Sequence, residues 1–455
     1  MKEFLVKADF FLWNGFLIYL LLGIGIYFTV RLRGAQFRYL PYALKLAFSR
    51  SDSNAEGDIS QFQSLMTALA ATIGIGSIAG MATALMAGGF GAIFWMWVVA
   101  AIGMATKYAE AILAVKYRKL DETGKMSGGP MHYIERGLGW KGLAKGFAVC
   151  CTLSAFAGGN LTQSHSIASA MHEMFEIPPL WTGAAVSLLT AAVILGGIKS
   201  LGKVNAVLVP VMAVFYIAGG VIILAMHLDR IPSSFLLIFQ NAFTSQAAIG
   251  GFLGAGMMSA IQMGIVRGIS SNEAGLGSAP IAAAAAKTDV PGRQALISMT
   301  GVFLSSFVVC TITVLVICVT GVFGSVDAAG VPLNGAPLVM RAFESTIPSG
   351  SWIVAVGIVL FGYSTLLGWS YYGEKSLEYL FGKRVLLLYR LLFIAVAFVG
   401  PLLSLDVVWA LVDIMNGLMA LPNLIGLLFL SPVIFRESRD FFLLLDREKE
   451  LVLPS

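Results

Sequence analysis

The chain has 455 residues, of which 58% are apolar and only 12% charged, with a mean hydropathy of +0.84. An ordinary soluble domain carries about 25% charged residues, so much of this apolar surface has to meet lipid instead of water. That excludes a cytosolic enzyme, a nucleic-acid binder and a secreted disulfide scaffold. The net charge of +5 is scattered between apolar runs, and Cys150, Cys151, Cys310 and Cys318 lie within such runs at neither disulfide nor metal spacing.

A helix needs about 20 mostly apolar residues to cross the hydrocarbon core. Runs of that kind occur at 12–31, 65–87, 90–117, 143–171, 179–197, 204–227, 247–269, 296–323, 350–373, 385–402 and 406–431. The first is too long for a signal-peptide core and has no small-residue cleavage site after it, so it reads as a retained span. Eleven spans put the termini on opposite sides. Sorting the loops by alternation gives 25 basic residues on one side and 4 on the other, with Lys107 inside a span completing the 30. By the positive-inside rule the N-terminus is outside and the C-terminus, with a tail over 432–455, is cytoplasmic. The stretch 271–288 is apolar but too short to span. It is expected to be a re-entrant or interfacial segment on the cytoplasmic side.

In the second span the run Ala-Thr-Ile-Gly-Ile-Gly-Ser-Ile-Ala-Gly occupies 71–80. Gly76 and Gly80 match a GxxxG packing pair, or else the run interrupts the helix at mid-membrane, where freed N–H groups face an anion and freed carbonyls a cation. A second Gly-rich run at 251–264 lies five spans later. Two such interruptions in corresponding positions predict an inverted-repeat transporter. One five-helix repeat would cover 65–227 and the other 247–431, with 12–31 as an extra first span. The fold expected is all-α: eleven transmembrane helices in a five-plus-five inverted repeat with two discontinuous helices.

Ionisable residues at membrane depth are expensive and draw functional suspicion. Lys107 and Glu110, three apart on the third span, read as a structural or gating pair bonded to each other. Arg267 and Glu273 read as braces at the cytoplasmic end of the seventh span, and Asp413, Asn416 and Asn423 as a buried brace or an ion site in the last. His165 and His172 have no carboxylate at metal spacing, and no hydrolase triad, HExxH helix or phosphate loop is present. Energy would therefore come from an ion gradient or from the substrate itself. Ser364 and Thr365 on the ninth span either bond back to their own turn or offer oxygen to a hard cation.

Residues 70–80, 94–97 (Phe-Trp-Met-Trp), 127–131 (Ser-Gly-Gly-Pro-Met), 271–275 (Ser-Asn-Glu-Ala-Gly), 277–280 (Gly-Ser-Ala-Pro) and 412–423 together resemble the alanine/glycine:cation symporter family. The resemblance covers nearly the whole chain. Ser77 stands where that family usually has Asn, and Phe90 where it usually has Pro. The family implies a leucine-transporter-like fold and sodium-coupled uptake of L- or D-alanine and glycine. In that fold a hydroxyl pair on the ninth span faces the first break. Matching the motifs then gives a Na+ site from Ser364, Thr365 and the carbonyls of Ala70, Ile73 and Phe361, with Ser77 and Thr72 as candidates for a second cation. The amides of Ile75 and Gly76 would hold a substrate carboxylate. The Thr72 carbonyl would hold its ammonium, helped by Ser259 and Gln262 with Met263 beside them. Trp369, one turn from Thr365, would limit side-chain size, and Phe156, Asn160 and Gln163 would form the opposite wall.

The function expected is a plasma-membrane, multi-pass, Na+-coupled importer of small neutral amino acids, with no enzymatic activity and no nucleic-acid partner. An exchanger or exporter on the same fold, or an ion channel, stands as the alternative.

Overall fold

The computed structural model describes residues 11–49, 55–122, 124–243, 257–403 and 408–452. Among them the chain is almost entirely helical, with one two-stranded ribbon, β1 (Lys119–Leu120) against β2 (Met126–Ser127). In chain order the main helices are α1 (Ile18–Arg31), α2 (Gln61–Thr72), α3 (Ala79–Gly88), α4 (Gly91–Lys116), α5 (Lys141–Phe175), α6 (Pro179–Ile194), α7 (Gly197–Met226) and α8 (Ile231–Ala242). There follow α9 (Met257–Asn272), α10 (Ala279–Ala284), α11 (Pro291–Thr320), α12 (Ala336–Glu344), α13 (Ser351–Phe381), α14 (Leu386–Val399), α15 (Val408–Phe429) and α16 (Ser431–Val452). Among the described residues seven helices are individually long and apolar enough to cross a membrane. The fold is that of a multi-pass membrane protein.

Burial ranks these helices by position. Helix α4 is buried over most of its length and packs on α9 and α11, whereas α7 and the stretch around α14 leave most of their apolar side chains exposed. The first is a central post; the others are the surface that lipid covers. Helix α13 is the second post, packed against α2, α5 and α7.

Among the described residues two helices unwind and resume. The first interruption falls where the sequence places it: α2 opens on a Ser60–Gln63 capping box, runs to Thr72, and is followed by extended Gly74, a 3-10 turn at Ile75–Ser77 and then α3. The second falls elsewhere. Residues 257–264 of the expected run are continuous helix within α9, and 251–256 lie outside the described residues. The chain unwinds instead at 273–278, with positive φ at Glu273, Gly275 and Gly277, before α10 resumes. The stretch 271–288 is thus no interfacial segment. Nearly all of it is buried, because it is the unwound middle and second half of a helix that α9 begins. Each half alone is shorter than a membrane span, which is why neither reads as one.

Lys107 and Glu110 explain how this second break is tolerated. They do not serve mainly each other. The Glu110 carboxylate oxygen Oε1 accepts from the amides of Gly275 and Gly277, both at 3.1 Å, and from Asn423 Nδ2 at 2.6 Å. Lys107 Nζ donates to the Asn272 carbonyl at 3.0 Å, and Asn423 Nδ2 also donates to the Gly275 carbonyl at 2.8 Å. Tyr133 donates in turn to Asn423 Oδ1. Backbone groups freed by unwinding find no water at this depth, so side chains on α4 and α15 pair them.

On the face that carries the basic loops, one side chain joins the two broken helices. Arg118, just beyond α4, donates to the carbonyls of Glu56 (3.0 Å), Ala284 (3.2 Å), Ala286 (2.7 Å) and Thr288 (2.6 Å). It ties the approach to the first broken helix to the exit from the second, and a parallel bridge between Ile59 and Ala286 lies beside it.

Replacing Glu110 by Ala strands two buried amides and the Asn423 amide. Leaving a buried donor unpaired costs about 1–3 kcal/mol, so Glu110→Ala is expected to lower the thermal unfolding midpoint in detergent well below that of Glu110→Gln, which keeps an acceptor oxygen. Equal midpoints for the two variants would show that the carboxylate does not hold the break.

Candidate functional site

The two breaks meet at one cavity of about 530 Å³. Its buried floor is made by Trp369, Leu276 and Glu273, and its rim by exposed Glu173 and Pro337, on the side away from the basic loops. Thr72, Ile75, Gly76, Gly80 and Thr365 line the wall on one side, Gly158, Thr162 and Gln163 another, and Arg267, Ser270, Asp413 and Asn416 the rest.

The first break supplies the donors. Ile75 and Gly76 begin a 3-10 turn, and amides in the first turn of a helix have no intrahelical acceptor. A methyl placed on Gly76 or Gly80 would meet no atom within 4 Å. These glycines therefore leave open space above the break, and the GxxxG spacing is not a helix-packing face here. Gly74 behaves differently, since a methyl there would collide with the Thr365 hydroxyl.

Below the break, oxygen atoms gather from two helices. The Ala70 carbonyl, near the end of α2, receives Thr365 Oγ1 at 3.1 Å and Ser364 Oγ at 3.3 Å, and Ser364 also reaches the Phe361 carbonyl at 2.9 Å. Two hydroxyls and two carbonyls within hydrogen-bonding range of one another form a neutral, oxygen-only cluster, the donor set that suits a hard cation. Ile73 follows at the exit from α2 with φ −83° and ψ 75°, outside helical geometry.

The other residues singled out from the sequence separate into groups. Trp369 and Gln163 reach the cavity, and the α5 backbone at Gly159 lies so close to Trp369 that a methyl there would strike it. Gln163 Oε1 is buried with no protein partner. Phe156 and Asn160 turn away: the Phe156 ring packs on Tyr389 and Phe393, and Asn160 donates to the Phe393 carbonyl at 2.7 Å. Ser259, Gln262 and Met263 do not line the cavity either. Ser259 bonds the Ala87 carbonyl at 3.2 Å and Met263 packs against Gly88, so this part of α9 seats α3. Ser77 is wholly buried and bonds Ser271 at 3.1 Å, which touches Ser305 and Cys310 in turn, while the Thr72 hydroxyl bonds back to Ala68 within its own helix.

Four residues that the sequence marks as braces, or leaves with that role open, line the cavity: Arg267 on α9, Glu273 at the start of the second break, and Asp413 and Asn416 one turn apart near the start of α15. Ser270, which sequence reasoning missed, shares the face of α9 that carries Arg267. Arg267 is no loop residue. The signal was present in the cost of an ionisable group at membrane depth, but placing the break outside 273–278 hid which way these groups face. Asn423 alone of its trio is a brace.

Comparison with known proteins agrees with this architecture. The model of the sodium:alanine symporter family matches residues 1–453. The sodium/alanine symporter AgcS of Methanococcus maripaludis is 54% identical over 436 residues, covering 95% of each chain, and an uncharacterized transporter of Haemophilus influenzae is 49% identical over 443 residues, covering 97% and 96%. Among solved structures, a Na+-coupled sialic acid symporter in a substrate-bound outward-open state superposes with a TM-score of 0.55 at 13% identity, over 92% of this chain and 86% of that one.

The contrast between the break glycines is directly measurable. Gly74→Ala should cost the 1–3 kcal/mol or so typical of overpacking, seen as a lower unfolding midpoint. Gly80→Ala, on α3 with open space around it, should unfold at the parent temperature or above it. The reverse order would mean that the cavity and the Thr365 contact are misassigned.

Proposed function

The chain belongs to the sodium:alanine symporter family, and on that premise we propose that it imports alanine and glycine with Na+ by alternating access. It is a transporter, not an enzyme, and Na+ is its coupling ion. The observation that carries the reading is the junction of the first break with α13. A neutral oxygen cluster at Ala70, Phe361, Ser364 and Thr365 adjoins the break at Gly74, which leads into Ile75 and Gly76, whose amides have no acceptor within their own turn. A cation bound in that cluster neutralises and orients a carboxylate resting on those amides, so ion and amino acid bind together more tightly than apart.

Each broken pair, α2 with α3 and α9 with α10, is taken as one crossing. Gly15–Arg31 and Pro179–Ile194 are taken as two further spans. The chain then has eleven spans, an extra first helix and two five-helix repeats, with its basic loops and C-terminus cytoplasmic. The cavity opens away from the basic loops, and Arg118 seals the approach beneath it. That arrangement corresponds to an outward-facing state, and transport would open the Arg118 tie while the rim closes.

Substrate size is set by the floor. Backbone contacts to an α-amino acid are the same for every side chain, so discrimination falls to the volume beside Trp369. One methylene in an apolar pocket changes binding by about 1–3 kcal/mol, and an indole held from behind by α5 at Gly159 has little freedom to retreat.

In proteoliposomes, labelled alanine uptake should require an inward Na+ gradient, and its loss in the presence of that gradient would refute the reading. Ser364→Ala with Thr365→Ala should raise the Na+ concentration for half-maximal uptake at least tenfold while leaving the ranking of amino acids intact; an unchanged Na+ dependence would remove these hydroxyls from the ion site. Trp369→Ala should admit valine and leucine as competitors and weaken alanine. If the mutant keeps the parent's ranking of glycine, alanine, valine and leucine, the indole does not set the pocket's size.

A further inference from the structure

The proposed site has a clear place for the substrate carboxylate, but of the groups expected for the ammonium only Thr72, with its neutral carbonyl, lines the cavity, while Ser259 and Gln262 do not. We propose that the Glu273 carboxylate, at the start of the second break, is the charged acceptor for the substrate's ammonium group, so that the two breaks hold opposite ends of one zwitterion. The inference rests on the transport reading above and deepens it.

Four observations carry it. Glu273 lines the cavity floor and is only 3% exposed, so its charge acts in a low-dielectric setting. It adopts φ +56°, a left-handed conformation that Gly would take without strain. A charged side chain kept at such a position, beside two glycines that do the turning, points to use of the side chain. Its oxygen Oε2 accepts from Ser278 at 2.7 Å and the Trp369 indole is a neighbour, which fixes the carboxylate beside the residue proposed to measure side-chain size.

The surrounding charges agree. Two cations, buried Lys107 and half-buried Arg267, stand against three carboxylates, buried Glu110 and Glu273 and half-buried Asp413, so the set is one positive charge short. A zwitterion entering with a single Na+ makes up that deficit. The other candidates are already engaged. Glu110 holds the amides of the second break, and Asp413 faces Arg267. Lys107 lies within electrostatic reach of both Glu110 and Glu273, but its hydrogen bond goes to the Asn272 carbonyl, which leaves Glu273 without a hydrogen-bonded cation.

The test compares alanine with lactate, which keeps the carboxylate and methyl but replaces the ammonium by a hydroxyl. Competition against labelled alanine in proteoliposomes gives the ratio of half-inhibitory concentrations, lactate to alanine, for the parent, Glu273→Gln and Glu273→Asp. The parent ratio should be large. Glu273→Gln should reduce it at least tenfold, by weakening alanine and leaving lactate nearly unchanged, and Glu273→Asp should fall between the two. The Na+ dependence of thermal stability, measured without amino acid, should be the same in all three, which a merely structural role for Glu273 would not preserve. A parent-like ratio in Glu273→Gln overturns the proposal, and if that variant does not fold, a parent-like ratio in Glu273→Asp does so. Failure of the transport reading shows separately, as absence of Na+-dependent alanine uptake in the parent.

Discussion

Everything in this fold depends on pairing backbone groups that two unwound membrane helices set free. Lipid offers no hydrogen bonds at that depth, so each freed amide or carbonyl must find a partner within the protein, a ligand, or water admitted by a cavity. At the second break the protein supplies the partners itself: Glu110 and Asn423 take the Gly275 and Gly277 amides and the Gly275 carbonyl, and Lys107 takes the Asn272 carbonyl. At the first break it does so only in part. The Ala70 carbonyl meets hydroxyls, while Ile75 and Gly76, whose amides have no acceptor within their own turn, line the cavity. The incomplete pairing is what a ligand can complete.

The same accounting separates the central helices from the tie at Arg118. Helices α4 and α13 are posts because each carries the side chains that satisfy a break, and neither could shift far without stranding a buried polar group. The tie at Arg118 is of another kind. Arg118 is half-buried, and of its four carbonyl partners only Glu56 belongs to an exposed residue, while Ala284, Ala286 and Thr288 are buried at the exit from the second broken helix.

Much of this was legible in the sequence, and the failures are physically instructive. The first break is marked by glycines with a flanking hydroxyl inside an apolar run, and the structure unwinds there. The adjacent hydroxyls at Ser364 and Thr365 do reach across to α2. The second break was misplaced because glycine density at 251–264 reads like an interruption, although Gly264 and Gly268 are needed for close approach to α4. The true break, 273–278, was masked by the shortness of α10 and by a charged residue that suggested a loop. Facing direction on α5 was equally hidden. A π-turn at Ala157–Leu161 shifts the helical phase, so that Phe156 and Asn160 point to α14 while Gln163 reaches the cavity. Spacing along an ideal helix cannot anticipate that shift.

The central claim is that ion and amino acid occupy one junction between the two breaks. An experimental structure determined with Na+ and L-alanine tests it most directly. The account predicts an ion among the carbonyls of Ala70 and Phe361 and the hydroxyls of Ser364 and Thr365, with alanine's carboxylate on the Ile75 and Gly76 amides and its methyl toward Trp369. Alanine bound elsewhere, or an ion held without any of those four oxygens, would contradict it.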